Sequence, residues 1–188
     1  PVITGTTSNP ISNLLGATVS EMEPCDTALV NGSCPAGHSV DTVSSFVQTG
    51  TNGFSMGYNL ANGTGNNRWA GSMISFLDTA LFNAQAGSLV LAVNDGGASY
   101  YKIDVIDAQG QKVTLRVTVD GRIEITNTIL QSAGVANFDS NQIKYVVIVM
   151  DDPAVTTGTL TVTTAGLNYT PVITGTTSNP ISNLLGAT

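Results

Sequence analysis

The chain of 188 residues holds 13 Asp and Glu against six Lys and Arg, a net charge of −7, with 41% hydrophobic and only 10% charged residues. The apolar share is ample for a core, which excludes a globally disordered chain. The cations Arg68, Lys102, Lys112, Arg116, Arg122 and Lys144 are scattered along the sequence, so no basic footprint for nucleic acid or an anionic membrane is expected, and no apolar run approaches the roughly 20 residues of a membrane-spanning helix.

In chain order, the first element is a nearly uncharged segment, PVITGTTSNPISNLLGAT, at residues 1–18. It reads as two half-strands, 2–8 and 11–18, with a bend at Asn9-Pro10 because proline lacks the ladder N–H. A start at Pro1 without Met implies a removed leader or a trimmed Met. Cys25 and Cys34 follow, flanking a stretch with an Asn31-Gly32 turn. An even cysteine count on a low-charge chain predicts a local disulfide and an oxidising compartment.

Period-2 apolar alternation then dominates. Strands are expected at 40–48, 54–60, 69–77, 88–94, 99–106, 112–119, 122–127, 143–150 and 158–165. Asp120-Gly121 between two alternating runs predicts a β-hairpin. In the run before it, Val113, Leu115, Val117 and Val119 face one way; Lys112, Thr114, Arg116 and Thr118 face the other. The continuously apolar run at 143–150 predicts a buried central strand. Helix is expected only in short pieces, around 79–86 or 129–135. Many short strands with polar turns predict an all-β fold: an antiparallel β-sandwich or jelly roll.

The opening eighteen residues recur, letter for letter, at 171–188, directly after Thr170. The organisation is therefore a donor strand at 1–18, a β-sandwich domain at 19–170, and a duplicate of the donor at 171–188. A segment this apolar needs a sheet edge and a groove. Its candidate anchors are Val2, Ile3, Ile11, Leu14 and Leu15, repeated as Val172, Ile173, Ile181, Leu184 and Leu185. The second copy reads as a donor added behind the domain for self-complementation; a natural terminal duplication and a neighbour's strand written into one chain are the alternatives. The domain resembles the donor-strand-complemented subunits of extracellular filaments, meaning archaeal cannulae and threads, TasA-type fibres and chaperone–usher pili. That resemblance lies in organisation alone. It implies a β-fold completed by a neighbour's terminal strand, copies of the chain itself as partners, and a place at the cell surface. The cysteine spacing departs from that of chaperone–usher pilins.

Other motifs carry less. Gly53-Phe54-Ser55-Met56-Gly57 matches G-x-S-x-G, but that motif works only at a strand-to-helix turn followed by Asp and His. The single histidine, His38, precedes it, so no catalytic centre is expected. Turn carboxylates at Asp95, Asp107, Asp151 and Asp152 would suit Ca²⁺, the one cofactor weighed and not a required one. Asn31, Asn62 and Asn168 head N-glycosylation sequons. Trp69, Tyr58, Tyr100 and Tyr101 would form a sugar platform if exposed. The expected function is a structural filament subunit, with a secreted carbohydrate-binding jelly roll as the alternative.

Overall fold

The computed structural model describes residues 7–10, 17–31, 34–49, 53–77 and 81–169, with backbone alone for 7–10 and 164–169. Besides two 3₁₀ turns at Leu60–Asn62 and Gly65–Asn67, eleven strands and one short α-helix are assigned among them. They are β1 (Thr7–Pro10), β2 (Thr18–Met22), β3 (Val43–Thr49), β4 (Gly53–Asn59), β5 (Ala70–Ser75), β6 (Gly87–Asn94), β7 (Tyr101–Asp107), β8 (Lys112–Val117), β9 (Gly121–Ile125), α1 (Asn127–Ser132), β10 (Ile143–Met150) and β11 (Thr157–Tyr169). Every pairing is antiparallel. One sheet runs β3-β4-β11-β6-β9 with β1 added on β11, and the other runs β2-β5-β10-β7-β8. The chain is an all-β jelly-roll sandwich.

The core lies between the sheets, where alternate residues of each strand meet. Phe54, Met56 and Tyr58 of β4 face Ile103 and Val105 of β7, Ile74 of β5, and Val146 and Ile148 of β10 within one continuous cluster. Leu89, Leu91 and Val93 of β6, with Leu160 and Val162 of β11, complete it. Each such side chain stabilises the fold by about 1.5–3 kcal/mol on full burial. β10 occupies the centre of its sheet, flanked by β5 and β7. Val147 on its outer face is also buried, at 5% exposure, which accounts for the unbroken apolar run.

Polar groups fix the loops. Buried Asp107 accepts from the N–H groups of Gln109 (3.0 Å), Gln111 (2.8 Å) and Asp139 (2.8 Å), tying the β7–β8 turn to the loop before β10. Asp95 accepts from Gly97 (2.8 Å) and Ala98 (3.1 Å). Asp152 accepts from Ser99 (2.6 Å) and Ala154 (2.8 Å). Glu23 accepts from the N–H of Val43 at 2.6 Å and from the Ser39 hydroxyl, joining the stretch after β2 to the start of β3. Cys25 and Cys34 are disulfide-bonded, with Cα atoms 5.6 Å apart.

Several expectations need correction. β8 and β9 do not form a hairpin: β8 pairs with β7 in one sheet and β9 with β6 in the other. Asp120-Gly121 is thus a corner between sheets, with Gly121 at φ 106° and Val119 left 62% exposed. Asn9 and Pro10 do not bend away from pairing; they stand opposite Leu167 and Gly166 at the end of β1. A strand end is where proline's missing N–H is tolerated. β2 was not foreseen. Within residues 81–86 the backbone makes a bridge at Phe82 and a turn instead of a helix. The helix that does form, α1, is capped by Thr126, whose hydroxyl accepts from Ile129 N–H at 3.3 Å.

Candidate functional site

Two features stand out, one made of backbone and one of side chains. The first is the edge of β11. This strand runs thirteen residues. On one side β6 pairs with it from Thr161 to Tyr169. On the other, β4 reaches only from Thr157 to Val162. Beyond β4 the edge would stand open, and β1 fills part of it: Thr7, Ser8, Asn9 and Pro10 lie opposite Tyr169, Asn168, Leu167 and Gly166. Both β1 and β4 run antiparallel to β11, so β1 extends the row of β4. The four residues of β1 recur as Thr177–Pro180 in the second copy. The named anchors Val2, Ile3, Ile11, Leu14 and Leu15, and Val172, Ile173, Ile181, Leu184 and Leu185, lie outside the described residues.

The second feature is a groove of about 750 Å³ on the outer face of the five-stranded sheet, a volume suited to a small organic ligand. Register builds it. Gly71 of β5 pairs with Val149 of β10, which pairs with Lys102 of β7; Met73 pairs with Val147, and Val147 with Asp104. Val147, Val149 and Ile106 form an apolar floor, and Met22, Trp69 and Pro153 line the sides. Gly71 lies beside the indole, where a Cβ would come into ordinary contact with Trp69 Cζ3 at 3.5 Å.

Polar residues border the groove. Arg68 donates to the backbone carbonyls of Asp152 (3.0 Å), Pro153 (3.4 Å) and Val155 (2.5 Å), holding that loop upright. Lys102 pairs with Asp151, and this hydrogen bond raises the Lys102 pKa against the opposing effect of burial. Lys112 pairs with Asp104 at 2.9 Å, and the Thr114 hydroxyl donates to the same carboxylate at 2.6 Å. Asp151 Oδ1 is buried with no hydrogen-bond partner. Beside the groove, the Arg116 guanidinium lies 4.0 Å over the Tyr100 ring. Three cations that are dispersed in sequence, Arg68, Lys102 and Lys112, share one groove, the two lysines paired there with Asp151 and Asp104.

The remaining sequence candidates fall elsewhere. Tyr58 and Tyr101 are core residues whose hydroxyls donate to the carbonyls of Asp95 and Val119. Burial is the first cause raising both phenols. Of the four aromatics considered for a platform, Trp69 alone lines the groove. Ser55 lies within β4 opposite Val47 and Thr161, not at a strand-to-helix turn. His38 is exposed and contacts Asp26 at 2.7 Å. Asp95, Asp107 and Asp152 spend their carboxylates on turn N–H groups. No cluster of three or more His, Cys, Asp or Glu able to hold a metal occurs among the described residues, so Asp95, Asp107, Asp151 and Asp152 do not converge as a calcium donor set. Asn31 is exposed at a left-handed turn position, φ 52°. Asn62 is exposed, with its amide donating to the Asp41 carbonyl at 2.8 Å. Asn168 is backbone-paired on both sides, with Ser8 and Ser88. No helix among the described residues is long and apolar enough to cross a membrane.

No protein-family model and no curated protein matches the chain. Solved structures share its fold. PfGH50B aligns with a TM-score of 0.52 at 9% identity over 90% of this chain, which spans 24% of that protein. A family 11 carbohydrate-binding module from Clostridium thermocellum, solved with a β-1,3-1,4-mixed-linked tetrasaccharide, aligns at 0.45 and 16% identity, covering 87% of this chain and 86% of that one. An exo-β-agarase aligns at 0.47 and 10% identity, covering 69% and 22%. At such identities the likeness is one of fold alone.

Proposed function

We propose that this chain is a structural subunit that assembles with copies of itself by strand addition, outside the cell. The pairing of β1 with β11 supports this reading. A four-residue strand covers the last four residues of a central strand's edge, beyond the reach of β4, and the chain carries the same four residues twice. Any edge that accepts Thr7–Pro10 accepts Thr177–Pro180 of a neighbour with identical backbone bonds. Such a short strand exchanges readily, since few bonds must break at once. The Cys25–Cys34 disulfide fits an oxidising compartment. Electron microscopy of three truncated forms tests the reading: without 171–188, without 1–18, and without both, each first checked for cooperative unfolding. Either single truncation should assemble or close on itself according to which copy remains. Filaments formed by the chain lacking both copies would refute strand addition.

The groove favours a second reading, glycan binding. An indole beside a floor of Val147 and Val149, bordered by carboxylates, ammonium groups and a hydroxyl, matches a sugar's apolar faces and polar rim. Titration calorimetry with neutral β-glucan oligosaccharides should give heat that Trp69→Ala abolishes. No heat with any glycan tried, or binding unaffected by Trp69→Ala, would remove this reading.

A further inference from the structure

The groove on the outer face of the five-stranded sheet has a direction, and register sets it. Val149, Val147 and Tyr145 alternate along β10, so their side chains share one face. On β7 they stand opposite Lys102, Asp104 and Ile106 in that order. The groove's lining reaches as far as Val147 and Ile106. Tyr145 comes next in the same row: it pairs with Ile106 and is partly exposed. An aromatic ring therefore stands at each end of an apolar floor. The Trp69 indole lies beside Gly71, the partner of Val149, and the Tyr145 phenol lies at the other end. Two charged pairs border that floor at different levels: Lys102 with Asp151 next to Val149, and Lys112 with Asp104 next to Val147.

We propose that the groove takes a neutral oligosaccharide laid along β10, one ring on Trp69 and a later ring on Tyr145. The proposal rests on the glycan reading of this groove and adds the length, direction and charge of the ligand. Length follows from the strand. Tyr145 and Val149 are four residues apart, about 13 Å at roughly 3.3 Å per residue, which is the span of about three linked sugar rings. Direction follows from the floor, since the row stays apolar only along β10; across the sheet it meets Lys102 and Asp104 at once. Charge follows from the pairing. Each lysine at the border already faces a carboxylate, and the Arg68 fork is turned onto three carbonyls. A sugar carboxylate or sulfate would have to displace Asp151 or Asp104, on a chain whose net charge of −7 repels polyanions. Hydroxyl groups displace neither: they donate to the carboxylate of a pair and accept from its ammonium group. Sugar rings offer apolar faces to both aromatics and hydroxyl rims to both pairs.

Titration calorimetry of the full chain with β-1,4-linked glucose dimer and tetramer tests this, each variant first checked for cooperative unfolding. The tetramer should bind at least tenfold more tightly than the dimer, because only the tetramer reaches both aromatics. Tyr145→Ala should cut tetramer affinity to near that of the dimer and leave dimer binding within about twofold, whereas Trp69→Ala should weaken both. Tyr145→Phe keeps the ring and should bind as the unsubstituted chain does. A tetramer of β-1,4-linked mannuronate, with a carboxylate on every ring, should bind at least tenfold more weakly than the glucose tetramer. Equal affinity for dimer and tetramer, Tyr145→Ala binding the tetramer as the unsubstituted chain does, or mannuronate binding as tightly as glucose would each overturn the proposal and leave the glycan reading standing. No heat with any of these sugars would remove the glycan reading itself, and the proposal with it.

Discussion

Replacing Asp107 by Ala removes a carboxylate that accepts three backbone N–H groups at 2.8–3.0 Å from a site 1% exposed. Each donor left without a partner costs about 1–3 kcal/mol, the more so because the lost acceptor is charged. The donors of Gln109, Gln111 and Asp139 sit in surface turns that water partly reaches, which selects the lower end. The sum is about 3–5 kcal/mol, a large fraction of the roughly 5–15 kcal/mol that holds a domain together. Asp107→Asn keeps one oxygen, enough for Gln109 and Gln111, and turns an N–H₂ toward Asp139 or its own turn; its cost should be about 1–2 kcal/mol. Urea unfolding followed by the fluorescence of Trp69, the single tryptophan, measures both. The losses should be the same with calcium or with a chelator, since this carboxylate is occupied by backbone. An Ala variant within 1 kcal/mol of the parent, or an Asn variant as damaged as Ala, would refute the assignment of Asp107 as a turn anchor.

Asp152 is held below the ordinary carboxylate range, chiefly by the Ala154 N–H against the opposing effect of burial, with Ser99 adding to it. Its unfolded form therefore protonates first, so its contribution is complete above about pH 4 and lost as pH falls further; Asp152→Asn should flatten stability measured across that range. Reducing the Cys25–Cys34 bond frees a loop with a sequence separation of 9, and chain entropy sets the loss at about 2.5–3 kcal/mol, readable as a lower thermal midpoint with reductant. At Gly158 an added Cβ would overlap the Tyr58 hydroxyl and ring. Gly158→Ala should displace Tyr58 from the Asp95 carbonyl and destabilise by about 1–3 kcal/mol, with Gly158→Ala/Tyr58→Phe no worse than the single change.

Strand positions were legible where one face is core and the other solvent. Tyr101, Ile103 and Val105 alternate with Lys102, Asp104 and Ile106, and β7 and β10 follow that alternation or its apolar filling closely. What alternation cannot carry is which sheet a strand joins. Ile123 and Ile125 turn inward as Val113 and Leu115 do, but from the opposite sheet, so a corner reads as a hairpin. β11 outlasts its expected end at 165 because β6 and β1 pair with its last residues, a contact from distant chain. The groove was half legible: Lys112 and Thr114 were assigned to the outward face. Its assembly depends on register, which sets Val147 beside Asp104 and Val149 beside Lys102. Of the residues that wall it, Trp69 reads in sequence as the first of a strand, while Arg68, Asp151 and Pro153 fall between the expected strands.

β11 is among the last of these strands to be made, yet β4, β6 and β1 all hydrogen-bond to it. Until Thr157–Tyr169 has left the ribosome, the six-stranded sheet lacks its middle. Among the described residues only two pairings, β3–β4 and β7–β8, join strands consecutive in the chain. Early hairpins are therefore few, and most of the fold must wait for loops of large sequence separation to close. A nascent chain of this design can close its five-stranded sheet once β10 is made, but its six-stranded sheet must wait until the chain is nearly finished.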